Sequence, residues 1–409
     1  MGRVMRWLPL LVGLGLFALT ASALLLAAGS SLGYDYRCYE GAARGIVDGR
    51  PIYDNAFAIH VGTCPGTYTY PPPFAVALTP MLLLGDAAPG VWCVAMAACF
   101  VAGTLLLPVR RGVRGAVLAL GAVDWPLLYA VKIGQVGPIL FLLFAIAWRS
   151  IARTEATRPA ATRPEASPAR RPGVQSEALA VGLAAGLGAV VKVQPGIVAV
   201  WALVSGRRRG FVAAILVVAA VTIVALPFTG LTSWFTYADL VRGLGGTFDT
   251  PHDFAPGTIA HMAGAGDSVA ALVQVGAVAL AVAGLLAAWR YASAELSFLA
   301  TVVASQLLSA PLRDHYATLL LLPTAWLLQR GRSWAIAIPL LAWVSVLAFP
   351  TDDTTAAAQA ASFAGSSWPA AATIPLTFFG CLAALLVEAF FERRRAPRAP
   401  HGASAMLGR

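Results

Sequence analysis

Residues 8–28, LPLLVGLGLFALTASALLLAA, decide the fold class. The run carries no charged side chain and is long enough to cross a bilayer, which takes about 20 predominantly apolar residues. It is too long for a typical signal h-region, and the Ala27 to Ser31 stretch after it is a weak cleavage site. It therefore reads as a retained first helix, with cleavage as the alternative. Runs of the same kind recur as far as Phe391 between short polar or Gly/Pro breaks. The chain of 409 residues is 58% hydrophobic and 12% charged, with mean hydropathy +0.74, too little polar surface to clothe a soluble globule. The expected fold is an all-α polytopic membrane protein, with one transmembrane domain over residues 1–392 and no separate soluble domain.

The net charge of +10 would point to nucleic acid in a soluble chain. Here the arginines sit in short clusters between apolar runs, and the only lysines are Lys132 and Lys192, so topology explains the charge better. Placing Arg3 and Arg6 in the cytoplasm gives spans near 8–28, 89–108, 115–131, 134–150, 177–191, 195–206, 211–229, 268–289, 294–310, 315–329, 334–349 and 373–391. This register puts most of the 29 basic residues on the cytoplasmic side. It predicts about twelve transmembrane helices in the plasma membrane with both termini cytoplasmic. Segments 29–88 and 230–267 are then extracytoplasmic loops. Segment 151–176 is a Pro-rich disordered cytoplasmic linker, and 393–409 a basic disordered tail facing anionic lipid. No internal repeat is evident. Segment 176–205 is too short for two full spans, which predicts a re-entrant or broken pair turning at Lys192.

In this register Asp35, Glu40, Asp48, Asp54, His60, Asp249, His252, Asp253, Asp314 and His315 all face outward, so a site is expected on that side. Residues 33–49 read as an amphipathic surface helix with Tyr36, Tyr39, Ala43, Ile46 and Val47 on one face and Asp35 at its N-cap. Tyr68-Thr69-Tyr70-Pro71-Pro72-Pro73-Phe74 follows, its prolines fixing a rigid turn ahead of a short helix that dips into the outer leaflet and ends at Leu84. Cys38 and Cys64 flank one polar segment and either form a disulfide or stay unpaired. Asp124 falls inside the third span, where an ionisable group costs roughly 3 kcal/mol, so it either pairs with Lys132 or faces a cavity. His252, flanked by Asp249 and Asp253, either holds a metal or is solvated, and no metal site is assigned. Walker-type, CxxC, GxSxG and HExxH motifs are absent.

Several of these elements together resemble a known family. They are Asp35 just after the first helix, Asp48-Gly-Arg-Pro-Ile-Tyr53, Tyr68 to Phe74, Gly134-Gln135 opening a later helix, and Lys192-Val-Gln-Pro195. The pattern resembles the polyprenyl-phosphate-sugar-dependent glycosyltransferases of the GT-C superfamily, and within them the actinobacterial α-1,2-mannosyltransferase-like family. The resemblance implies a GT-C-like helical bundle with surface helices in its first loop. It also implies an inverting transfer of hexose, most readily mannose, from polyprenyl-phospho-mannose to a glycolipid or lipoglycan on the extracytoplasmic face, without a further cofactor. Asp35 matches the family's first-loop acid and would be the general base. Lys192, Lys132 and Arg313, with His315, are candidates to hold the leaving phosphate. Gln135 would bond sugar or phosphate, and Tyr36, Tyr68, Tyr70 and His252 would face sugar or acceptor. Blander roles stand beside these: a helix cap for Asp35, a cap contact for Gln135, and snorkelling for Lys192. A transporter or flippase of a lipid-linked sugar, and a catalytically silent scaffold, are the alternatives in other classes. The motifs do not separate mannose from arabinose donors.

Overall fold

The computed structural model describes residues 7–53, 68–157, 172–244, 252–309, 311–349 and 365–395, and all regular structure among them is helical. In chain order, α1 (Leu8–Ala27) precedes a surface helix α2 (Tyr34–Val47), a short α3 (Pro72–Leu78) and α4 (Ala88–Leu106). A bent pair, α5 (Arg111–Gly121) and α6 (Trp125–Ile133), leads to α7 (Gly137–Ala156). Next come α8 (Pro172–Val191), α9 (Ile197–Val204), α10 (Arg208–Thr229), α11 (Thr232–Leu244), α12 (Pro256–Met262), α13 (Asp267–Tyr291) and α14 (Ala294–Leu307). The last described helices are α15 (Leu321–Gln329), α16 (Ala337–Trp343) and α17 (Trp368–Arg395), with a 3₁₀ turn at Asp314–Leu320 ahead of them.

Five helical stretches among the described residues are long and apolar enough to cross a membrane: Leu8–Ala27, Pro72–Leu106, Arg208–Thr229, Asp267–Tyr291 and Trp368–Arg395. The pair α5 and α6 makes a sixth if counted as one broken span. Twelve full spans are not confirmed among the described residues. Ser176–Val191, Gln194–Val204, Ala294–Leu307 and Ser333–Leu347 are apolar helices of only 10–17 residues, short of the roughly 30 Å of a hydrocarbon core at about 1.5 Å per residue. Burial explains the composition of one of them, Ala294–Leu307, while the other three expose large apolar side chains, Leu179, Val204 and Leu341 among them. In α14 every residue from Leu296 to Leu307 is buried, so it is apolar all round because it is core, whereas the mostly exposed α10 and α13 are apolar because they face lipid.

Two local expectations change and one holds. The third expected span is not one helix, because the chain bends by 67° between α5 and α6. Asp124, at the bend, is buried and caps α6 by accepting the Leu127 N–H at 3.3 Å, so a break in the helix gives the acid a partner. The short helix expected to end at Leu84 does end there, where Gly85 leaves helical geometry at φ 52° ahead of α4, and the two pieces together make up the Pro72–Leu106 stretch. The linker expected over 151–176 is shortened at both ends, since α7 reaches Ala156 and α8 starts at Pro172. Its middle, 158–171, and the tail beyond Arg395 lie outside the described residues.

Small residues set the closest helix contacts. A methyl added at Gly115 of α5 would sit 2.2 Å from the Pro9 carbonyl of α1, so these two backbones touch. The turn at Lys192 reverses the chain into a hairpin: Gly188 meets Pro195, Gly196 meets Ala189, and Gly210 lies near both Ala178 and Ala202. At the end of the bundle away from that turn, ion pairs and hydrogen bonds tie helix ends together: Arg207 to Glu177, Arg332 to Glu388 at 2.6 Å, Arg330 to Glu392, and Trp148 to Glu295 at 2.9 Å.

Candidate active site

The surface helix α2 is pinned at its start. Gly33 is its N-cap at φ 66° and donates its N–H to the Lys132 carbonyl at the end of α6, 2.9 Å away. α6 itself ends on Gly134 in the left-handed region at φ 77°, the usual glycine stop of a helix. The Trp92 indole donates to the Gly134 carbonyl at 2.7 Å, and a side chain at 134 would meet the Trp92 ring at 2.8 Å. These contacts set Gln135 beside the first turn of α2.

Asp35 is therefore not the N-cap expected from sequence. It lies in the first turn, and no side chain caps this helix. Its Oδ2 instead accepts a hydrogen bond from Nε2 of Gln135. The Gln135 Oε1 accepts from the Tyr70 hydroxyl at 2.7 Å and the Val136 N–H at 3.2 Å, and Tyr39 donates to the Tyr70 oxygen at 2.9 Å. Around this chain Tyr39 packs edge-on to Tyr70 and Phe74, and Tyr36 lies against Trp92. The apolar face expected for α2 is realised in buried Tyr36, Tyr39 and Ala43, while Val47 is exposed.

The opposite wall comes from late in the chain. The Asp314–Leu320 turn is wholly buried and packs on α6 and α7. The Lys192 ammonium stands 3.3 Å from the centre of the Tyr316 ring, a cation–π contact that fixes an otherwise flexible side chain. Gln194 bonds Ser309, whose hydroxyl reaches the Pro311 carbonyl at 3.0 Å, so the Lys192 turn is tied to the segment carrying Arg313. Asp253 holds that segment from its other side. Its carboxylate accepts the Leu312 N–H at 2.9 Å, the Ala255 N–H at 3.0 Å and the Thr258 hydroxyl at 2.9 Å, while Phe254 N–H reaches the Leu312 carbonyl.

The two walls share one electrostatic field. Burial raises the Asp35 carboxyl from 3.8 to about 6; the Gln135 hydrogen bond and the positive charges of Arg313 and Lys192 oppose that rise, and Asp314 adds to it. An acid poised near neutrality facing two cations can accept a proton on one side of a reacting group while the cations meet negative charge on the other.

The remaining expected residues are placed as follows. His315 is buried with Nδ1 3.5 Å from Asp314. Lys132 sets its ammonium 5.9 Å from the Tyr129 ring centre. Tyr68 is buried and bonds the Pro71 carbonyl at 3.0 Å. The Tyr36 hydroxyl, also buried, has no hydrogen-bond partner among the described residues. His252 adopts φ 56° with its ring 4.6 Å from that of Phe349. No group of three metal-ligating side chains occurs among the described residues. Cys38 is disulfide-bonded; Cys64, its expected partner, and Asp249 lie outside the described residues. Sequence reasoning missed Tyr316 and the stapling role of Asp253. The first stood inside the quoted Pro311 to Tyr316 motif, and the second resembled a solvated loop acid.

An all-helical polytopic membrane protein that assembles an acid and two cations at one end of its bundle has the layout of a membrane-embedded enzyme. The profile of glycosyltransferase family 87 matches residues 68–312, more than half of the chain. The chain belongs to that family, a GT-C-like one, and is thus a glycosyltransferase. The match takes in Tyr70, Gln135 and Lys192; Arg313 is the residue after its end, and Asp35 lies well before its start at residue 68. No curated protein and no solved structure matches the chain.

Proposed function

We propose that this glycosyltransferase moves a hexose, mannose in the first instance, from a polyprenyl-phosphate donor to a glycolipid or lipoglycan hydroxyl on the extracytoplasmic face. The observation that carries the reading is the placement of Asp35, held by Gln135, within the fields of Arg313 and Lys192. Asp35 takes the acceptor's hydroxyl proton as the oxygen attacks the sugar C1, and the bond from C1 to the phosphate oxygen breaks with inversion. Negative charge builds on the departing lipid phosphate, where Lys192 and Arg313 stabilise it. The exposed apolar surfaces of α10 and α13 suit a lipid surrounding, from which a lipid-borne donor would come. Membership of a glycosyltransferase family supports this over a flippase.

The test is transfer of radiolabelled mannose from polyprenyl-phospho-mannose into membrane glycolipid, wild type against Asp35→Asn at matched expression. Transfer that disappears in the variant supports the reading. Equal transfer in both removes Asp35 as the base, and transfer in neither redirects the search to an arabinose donor.

A further inference from the structure

We infer that Tyr70 is a positioning residue for Asp35, acting through the amide of Gln135; this rests on the proposed role of Asp35 as the base. An amide presents a donor on one side and an acceptor on the other, and half a turn exchanges them. In this site the acceptor side is claimed twice, by the Tyr70 hydroxyl at 2.7 Å and the Val136 N–H at 3.2 Å. That leaves Nε2 for Asp35. Tyr70 has no free choice of direction either. Its oxygen accepts from Tyr39 at 2.9 Å, so its own hydrogen goes to Gln135. Tyr39, Tyr70 and Gln135 are all buried, and water cannot replace a lost partner without a rearrangement.

The polarity has a chemical consequence. With Gln135 turned over, Oε1 would face Oδ2 of Asp35, lone pair against lone pair, and only the protonated acid would accept that arrangement. The order Tyr39, Tyr70, Gln135 thus keeps Asp35 as an ionised acceptor, the form a general base needs. Other charged groups acting on Asp35 are Arg313, Lys192 and Asp314. The device is also one-way. An amide N–H does not pass a proton inward at ordinary pH, so a proton taken by Asp35 stays on the site side.

Infrared titration of the purified full-length protein, with the Asp35 carboxyl band assigned by subtracting the Asp35→Asn spectrum, reads this without turnover. The wild-type midpoint is expected near 6. Tyr70→Phe and Gln135→Leu should each raise it by about one unit, the scale of one hydrogen bond to a charged group. Tyr53→Phe removes a neighbouring hydroxyl that donates to the Tyr70 carbonyl and should leave the midpoint where it is. Should Tyr70→Phe fold poorly, Tyr70→Met, which likewise lacks the hydroxyl that bonds Gln135, carries the same test. An unmoved midpoint in the folded variants overturns the inference, as does an equal rise in Tyr53→Phe. A raised midpoint in an enzyme whose Asp35→Asn variant still transfers sugar would keep the positioning role and remove only the proposed base.

Discussion

Gln135 and Asp35 stand 100 residues apart in sequence and meet through one hydrogen bond, Nε2 to Oδ2. That bond joins the helix after the first span to the turn between α6 and α7. It gives the acid a hydrogen-bond partner while the charges of Arg313 and Lys192 act on the same carboxyl.

Replacing Asp35 by Asn keeps size and shape but removes the proton acceptor. Transfer should fall by about 100-fold to 10,000-fold, the usual weight of a positioned general base. Single-turnover transfer, with donor binding measured separately, checks that the loss lies in the chemical step.

The pH dependence follows from the raised carboxyl. Transfer should rise as pH passes through about 6 and level off above it, because only ionised Asp35 accepts a proton. Stability should run the other way. A carboxyl raised from 3.8 to about 6 binds more protons folded than unfolded between those values, so its contribution declines as pH climbs through them. Asp35→Asn should accordingly melt above wild type at pH 8 in detergent, with the gap narrowing as pH falls from about 6 to about 4. A rate–pH profile and a melting series on the two proteins decide both points.

Lys192 is held over Tyr316 and serves the leaving phosphate in the proposed reaction. Lys192→Met should keep the length of the side chain and lower kcat by about 100-fold or more, with Lys192→Arg recovering part of the loss. A donor whose leaving group is a weaker base should be less sensitive to the substitution. Equal loss with both donors would separate Lys192 from the leaving group.

Asp253 accepts three hydrogen bonds from buried donors. Asp253→Ala would orphan them at a cost of about 1–3 kcal/mol each and free the backbone beside Arg313. Both the melting temperature and transfer should fall. Asp253→Asn, which keeps an acceptor oxygen, should recover much of the stability.

Gly134 is expected to tolerate no side chain. Its φ of 77° and the Trp92 ring 2.8 Å from a built Cβ mean that Gly134→Ala strains the backbone and pushes on the indole, which destabilises by about 1 kcal/mol or more. Because Gln135 is the next residue, transfer should drop further than the melting temperature alone explains. A variant as active and as stable as wild type would show that the turn can relax without moving Gln135.

Hydropathy made the fold class legible because a bilayer demands long apolar runs, and α1, α10, α13 and α17 lie where those runs predicted. It predicted twelve full spans, of which the described residues confirm five or six. An apolar stretch such as 294–307 has the same composition whether it faces lipid or, as α14 does, lies wholly inside the protein. It also could not foresee the break at Asp124, where a helix cap replaced the expected mid-span acid.

For the site, the sequence by itself named Asp35, Gln135, Lys192 and Arg313 and drew their neighbourhoods from local patterns: a glycine turn, a proline run, a short hairpin. It could not say that these residues face one another. Their spacing along the chain carries no information about distance once helices of different length and tilt fold past each other. The tertiary structure decided that Gly33, not Asp35, caps α2, which frees the carboxylate. It also decided that the end of α6 lies against the start of α2, and that the Lys192 turn docks on Tyr316 and Ser309. Each of these rests on contacts between groups about 100 or more positions apart, and such contacts exist only once the helices have packed.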